Sequence, residues 1–309
     1  MSLFYIRLAY CIPSIVLYIV VIYAISKEKQ RLFGSFYSLL VIQAITNLLV
    51  YVNSFYFLQL ANETEDYRWW AVIYTKAPQA LMRITSWLGM HFAFVQTYIT
   101  FFISLNRMAA IVWPRMDDRI WSAVVVLSTV ISYVSPLIVT YPYLTEEASF
   151  DYSKKIEGYV AHSNSDFPTI YSQLYYFMCV FVVASSCVSI VSMVCLCLRS
   201  KRIECVRAER RMLTLALLSF LVEISYFTLL TIVQIDRGGN FEKNARYTII
   251  PFISDLMTFS MPYLILFLNK SVRARLLRPF IRQNEVTPMR RIKVIKRNNA
   301  ISLISSSAR

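Results

Sequence analysis

Five ionisable side chains pose the chemical question in this chain: Arg83, His91, Arg107, Glu223 and Asp255 stand within or against long apolar runs. At the centre of a membrane helix each such group costs about 2.5–3.5 kcal/mol on insertion scales, so it is kept by a partner, by water or by a function. None of the five points to covalent or metal chemistry. The two histidines, His91 and His162, are far apart in sequence, no ligand-spaced cluster occurs, and no nucleophile or phosphate-loop motif is present. An enzyme is not expected, nor a bound metal or cofactor.

Recognition and switching remain. Asp255 shares one side of its apolar run with Thr258, Pro262 and Asn269. It is expected to face a cavity between helices and to contact a ligand, and Pro262 frees a backbone carbonyl and builds in a hinge. Glu223, near the middle of its run, is the second candidate ligand contact, held by a proton or a hydrogen bond. His91 falls about 160° from Arg107 on a helical wheel, which argues for packing against another helix, and Arg83, about 120° off, either snorkels or pairs with an acid.

Arg107 ends a run that carries no other charge for fifteen residues. Stepping back from it at about 100° per residue puts Ser104, Thr100, Thr97, Gln96, Ala93, Gly89, Ser86, Thr85 and Met82 within about 80° of the arginine. Small and polar groups in a membrane helix turn toward other helices, because lipid cannot satisfy them and small residues permit close approach. Ser86, Gly89 and Ala93 are therefore expected to line a ligand site on that face. Arg107 has two readings on the wheel: it points into the mouth of a bundle, or it snorkels to the headgroups.

The elements that must hold these residues follow from composition. The chain has 309 residues, 57% of them hydrophobic, and only 5 glycines, which is too apolar for a soluble domain of this size. Apolar runs long enough to cross a bilayer as helices cover 8–25, 36–60, 79–105, 120–143, 170–198, 212–235 and 247–268. They lack the alternation of a β-barrel. The expectation is an all-α membrane protein: a seven-transmembrane helix bundle over 1–268 and a basic tail over 269–309. In that tail, apolar Val272, Leu276, Leu277, Phe280 and Ile281 set against four arginines predict a short amphipathic helix over 269–282, lying on the membrane.

Basic residues resist translocation. With the N-terminus outside, the segments facing the cytoplasm hold 23 of the 32 Lys and Arg, those outside hold 8, including Arg7, and Arg83 stays within a span. Asn62-Glu63-Thr64 is a glycosylation sequon in the first outside loop, whereas Asn269-Lys270-Ser271 lies inside and is expected to stay unmodified. Pro13 and the following "ISKEKQR" make the first run an uncleaved signal anchor. The net charge of +14 is concentrated in the tail, so membrane lipids and a cytoplasmic partner fit it better than nucleic acid. The 27-residue segment 144–170 is long enough to cap an outer cavity. Cys197 and Cys205 are either bystander thiols or palmitoylation sites.

Several stretches resemble a known family. "SLNRM" followed by "IVWP", then "AERRMLTLALLSF" and "SDLMTFSMPYLILFLNKSVR", are similar to the nematode serpentine receptor class gamma (Srg) chemoreceptors of the G protein-coupled receptor superfamily. The resemblance implies a plasma-membrane receptor of sensory neurons that binds a small extracellular cue, odorant or pheromone-like, and activates a heterotrimeric G protein. Arg107 then matches the arginine of the Asp-Arg-Tyr motif of rhodopsin-like receptors, and Pro262 the proline of Asn-Pro-x-x-Tyr. The chain departs from those motifs at Asn106, Met108, Met261 and Ile265, has Asn47 near the usual acid of the second helix, and has no cysteine opening the third. The residues of the intramembrane sodium site and of the usual disulfide are therefore not in place. Arg107, Asn106, Glu209, Pro262 and Asn269 are the expected coupling residues, with Glu209 as resting partner of Arg107. A ligand-gated channel or a transporter is the alternative, against which stand the charge count and the scarcity of glycine.

Overall fold

The structure, a computed structural model, describes residues 2–28, 34–65, 69–113, 117–154, 158–163, 167–198, 203–235, 249–269 and 272–274. Seven helices are long and apolar enough to cross a membrane. They are α1 (Ser2–Glu28), α2 (Gly34–Ser54), α4 (Gln79–Val112), α5 (Asp118–Val134), α8 (Phe167–Leu198), α9 (Ile203–Ile235) and α10 (Ile250–Leu268). Short helices α3 (Val72–Thr75), α6 (Leu137–Thr140) and α7 (Pro142–Thr145) and one hairpin, β1 (Ala148–Ser153) with β2 (Gly158–Ser163), complete the described fold. The all-α expectation thus needs one correction: the fold is mostly helical and carries an antiparallel two-stranded sheet with Phe150 opposite Ala161.

The long helices close into a ring. α1 packs on α2 and α10, α10 on α9, α9 on α8, and α8 on α4, while α4 also touches α2, α5 and α9. α4 is therefore the central post, which explains why aromatic residues off its polar face, Phe92 and Phe94, are buried as well. Large aliphatic side chains such as Val126, Leu127 and Val180 remain on the outside, as expected where lipid rather than water is the solvent.

Several helices run past the sequence-based limits. α4 continues to Val112, so Arg107 lies inside a helix and not at its boundary. A charge does not end a helix when a neighbour takes it up. α9 begins at Ile203, which puts Glu209 on the same helix as Glu223, although the side chain of Glu209 lies outside the described residues. α10 begins at Ile250 and the span start at 247 lies outside the described residues. Of the expected amphipathic helix over 269–282, residues 269 and 272–274 are described: Asn269 is an extended C-cap and 272–274 are helical. The fourth span is not continuous: α5 stops at Val134, and the chain restarts as α6 after Pro136 and as α7 with Pro142 at its N-terminus. Proline lacks the amide that would carry the helix on.

At the hairpin end, aromatic rings join the loops. Tyr74 lies 5.5 Å from Tyr56, 5.0 Å from Phe150 and 5.5 Å from Tyr159. Gly158 packs directly on Asn62, where a Cβ would fall 2.1 Å from the Asn62 carbonyl oxygen. Only glycine permits that approach. The sequon loop and the hairpin are thus one packed unit, with Thr64 fully buried and its hydroxyl donating to the Leu60 carbonyl.

Candidate functional site

Three polar groups follow one another along the interior of the bundle. The first, nearest the hairpin, centres on Asp255 of α10. Arg7 of α1 donates through Nη2 at 2.9 Å and Nε at 3.1 Å to its Oδ2, the Tyr10 hydroxyl donates to the same oxygen at 2.6 Å, and the Gln59 amide donates to Oδ1 at 3.1 Å. Arg7 also lies over the Phe252 ring, 5.2 Å from its centroid. All four hydrogen bonds reach a carboxylate that is 3% exposed. The sequence reading set Arg7 outside the first span and left Arg83 to snorkel or to pair with an acid. The first point is corrected here: the first candidate span starts at Phe4, Arg7 is buried within it, and it takes the Asp255 carboxylate. Among the described residues Arg83 makes no ion pair.

The second group lies at mid-bundle. Gln96 of α4 donates to Asn47 Oδ1 at 2.9 Å, and Asn47 of α2 donates to the Tyr18 hydroxyl at 2.9 Å and to the Thr258 carbonyl at 3.4 Å. Four helices are joined by two amides. Glu223 is buried beside them, at 3% exposure.

The third group lies at the opposite end. Arg107 heads the large side chains that are fully buried, at 1% exposure. Its Nη2 donates to Asn106 Oδ1 at 2.8 Å, and its guanidinium lies over the Phe36 ring of α2, 3.8 Å from the centroid. Cation–π contact and a neighbouring amide oxygen give a desolvated guanidinium favourable contacts. The Asn106 amide in turn donates to Ser35 Oγ at 3.3 Å. Of the two readings of Arg107, burial favours the mouth of the bundle over snorkelling. Asn106, which carries no acid to restrain the arginine, supplies a carbonyl oxygen instead. Nearby, Asn269 closes α10 and donates to the Tyr37 hydroxyl at 2.9 Å, while the α10 helix passes through buried Pro262.

The remaining candidates fall as follows. Ser86 is buried, Ala93 is half-buried in contact with the α8 and α9 cluster, and Gly89 is exposed and faces α2, where a Cβ would lie an ordinary 3.5 Å from Asn53 Nδ2. His91 stacks on Trp87 at 4.9 Å, with Nδ1 3.1 Å from the Thr140 hydroxyl of α6, an interhelical packing contact as the wheel expected. Arg7, Tyr10 and Gln59 were missed by the sequence reading. A positive charge three residues into an apolar helix was the available signal, and counting it as loop charge hid it.

The sequence model of a family described as Srg family chemoreceptor matches residues 4–276. Serpentine receptor class gamma-31 of Caenorhabditis elegans is 22% identical over 211 residues, which cover 65% of this chain and 67% of that protein.

Proposed function

This chain belongs to the Srg chemoreceptor family, and from that membership we propose that it is a G protein-coupled receptor that takes a small extracellular cue and passes the event to a heterotrimeric G protein. It is a multi-pass membrane protein by its seven apolar helices. The plasma membrane of sensory neurons is where a receptor of this kind acts. In this reading the hairpin end faces outside and the Arg107 end faces the cytoplasm, in keeping with the bias of basic residues.

The cue is received on the small-residue face of α4, at Ser86, Gly89 and Ala93, between the Asp255 group and Glu223. The hairpin and the Tyr74 stack cover the end above. A ligand shifts a two-state bundle only by binding one state better than the other, and α4 is suited to relay such a bias because it touches α2, α5, α8 and α9.

The observation that carries coupling is the burial of Arg107 on Asn106 and Phe36. Among the contacts that hold this guanidinium in the mouth of the bundle are a neighbouring amide oxygen and an aromatic ring, which a change in helix packing can break. Glu209 is the proposed second tether, from α9. Opening of that mouth frees the arginine for the G protein, and Pro262 and Asn269 set the angle at which α10 ends beside it. The test is nucleotide exchange on a heterotrimeric G protein driven by the wild type, which is lost when the charge of Arg107 is removed at matched surface expression.

A further inference from the structure

Tryptophan is a highly buried residue on average, yet Trp69 is 82% exposed. It opens a 3₁₀ turn (Trp69–Ala71) that runs straight into α3. Val72 and Ile73 of α3 are exposed as well, whereas Ala71 and Tyr74 are buried. The segment therefore has two faces. The buried one belongs to the loop packing already described, with the Tyr74 ring on Tyr56, Phe150 and Tyr159, and the Tyr74 hydroxyl donates to the Tyr56 carbonyl at 3.0 Å. The other is bare and apolar.

That bare face sits at a definite level. The second candidate span runs Ser35–Leu60, and Tyr56 lies about one turn inside its end. Because the Tyr74 hydroxyl reaches the Tyr56 carbonyl, α3 is pinned beside the last turn of that span. The next span begins at Gln79, and its first turns expose apolar Leu81 and Ile84. In a bilayer, lipid surrounds the bundle at this level. The hairpin at the same end instead exposes Glu147, Ser149, Asp151 and Lys154, the surface expected where water is the solvent. Exposed apolar groups that lie together mark an interaction surface, and here the neighbouring span ends say what covers it.

We propose that Trp69, Val72 and Ile73 form an anchor in the interfacial layer of the bilayer, and that this anchor holds the hairpin at a fixed height over the bundle. An indole suits that layer, because its ring is apolar while its N–H asks for a wet neighbour. Exposed Thr75 and Lys76 close the segment with a polar end, from which a lysine reaches the headgroups. The apolar face itself carries no charge, so a zwitterionic lipid suffices. The link to the hairpin follows from the two faces of one short segment: lipid takes Trp69 and Ile73 on one side, and the rings of Phe150 and Tyr159 take Tyr74 on the other. The anchor stands whatever cue the receptor takes and whichever way the bundle is turned.

The test uses the full chain in phosphatidylcholine nanodiscs whose acyl chains carry bromine either near the glycerol or near the methyl end, and it reads the quenching of tryptophan emission. Trp69→Phe keeps an apolar ring and removes one of the five indoles. Bromine near the glycerol is expected to take a larger share of emission from the wild type than from Trp69→Phe, and bromine near the methyl end an equal share from both. Equal quenching of the two proteins by the near-glycerol lipid overturns the anchor. A difference that disappears when two receptors share a disc gives the face to a second copy of this chain and overturns it too. The link to the hairpin is read by amide hydrogen exchange in the same discs. With Trp69→Ser and Ile73→Ser together, exchange over 158–163 is expected to be severalfold faster than in the wild type, and exchange over 84–106 unchanged. Equal acceleration of both segments, or of neither, overturns the link.

Discussion

Arg7 and Asp255, 248 residues apart in sequence, meet with 2.9 Å between Nη2 and Oδ2 and fasten the first helix of the bundle to the last. Both side chains are at most 10% exposed. Removing one partner of a buried pair strands the other charge, at a cost of about 3–5 kcal/mol, whereas replacing both by apolar groups is close to neutral. Arg7→Met alone and Asp255→Leu alone are therefore expected to lower the unfolding temperature clearly, and the two together to recover most of the loss. Thermal unfolding of the four purified proteins checks this, and a loss in the double variant equal to the sum of the two single losses would show that the pair carries no coupling.

Gly89 offers a test of the ligand face. A Cβ there meets only Asn53 Nδ2 at an ordinary 3.5 Å, so Gly89→Ala should fold and signal like the wild type. Gly89→Leu fills the space between α2 and α4 and is expected to lower cue potency by roughly tenfold or more, the equivalent of about 1.4 kcal/mol. A dose–response series with an active cue, at matched surface expression, separates the two. Equal potency in both variants would move the ligand away from this face.

The orientation of the bundle is read by glycosidase treatment. Asn62→Gln should remove a glycan and Asn269→Gln should change nothing, because in the proposed orientation only the first sequon faces the glycosylation machinery during synthesis. Gly158→Ala probes the same loop from the other side: with its Cβ only 2.1 Å from the Asn62 carbonyl oxygen, the hairpin must shift, at a cost of about 1–3 kcal/mol. Reduced surface delivery of Gly158→Ala in a cell-surface labelling assay is the expected result.

The positions of the seven long helices were legible because each is an unbroken apolar run, and the burial of Thr85, Ser86, Thr97, Thr100 and Ser104 was legible from a wheel drawn on Arg107. The partner of Asp255 was not, because hydropathy assigns a charge near a helix end to the loop and nothing local links residue 7 to residue 255. The hairpin left a faint trace in the alternation of Ala148, Phe150 and Tyr152, masked by a loop rich in acids. The third helix was cut short at 105 because a charged residue was taken as its boundary, although Asn106 and Phe36 contact that charge inside the bundle.

Restraint of Arg107 by its neighbours predicts basal activity. Asn106→Ala removes the oxygen that Nη2 donates to at 2.8 Å, and Glu209→Gln removes the proposed carboxylate tether. Each is expected to raise ligand-independent nucleotide exchange severalfold, since a charge-assisted hydrogen bond contributes about 1.5–3 kcal/mol. Basal exchange in membranes of matched receptor content checks both. Unchanged exchange in the two variants would show that neither side chain restrains the arginine.

The central claim, that Arg107 couples this bundle to a G protein, is tested most directly by basal nucleotide exchange on a purified heterotrimeric G protein with wild type and Arg107→Met in nanodiscs. Methionine fills much of the buried space without the charge, so the bundle keeps its packing. The account predicts exchange above that of empty nanodiscs for the wild type and none for Arg107→Met at equal unfolding temperature. Equal exchange from both proteins would contradict it.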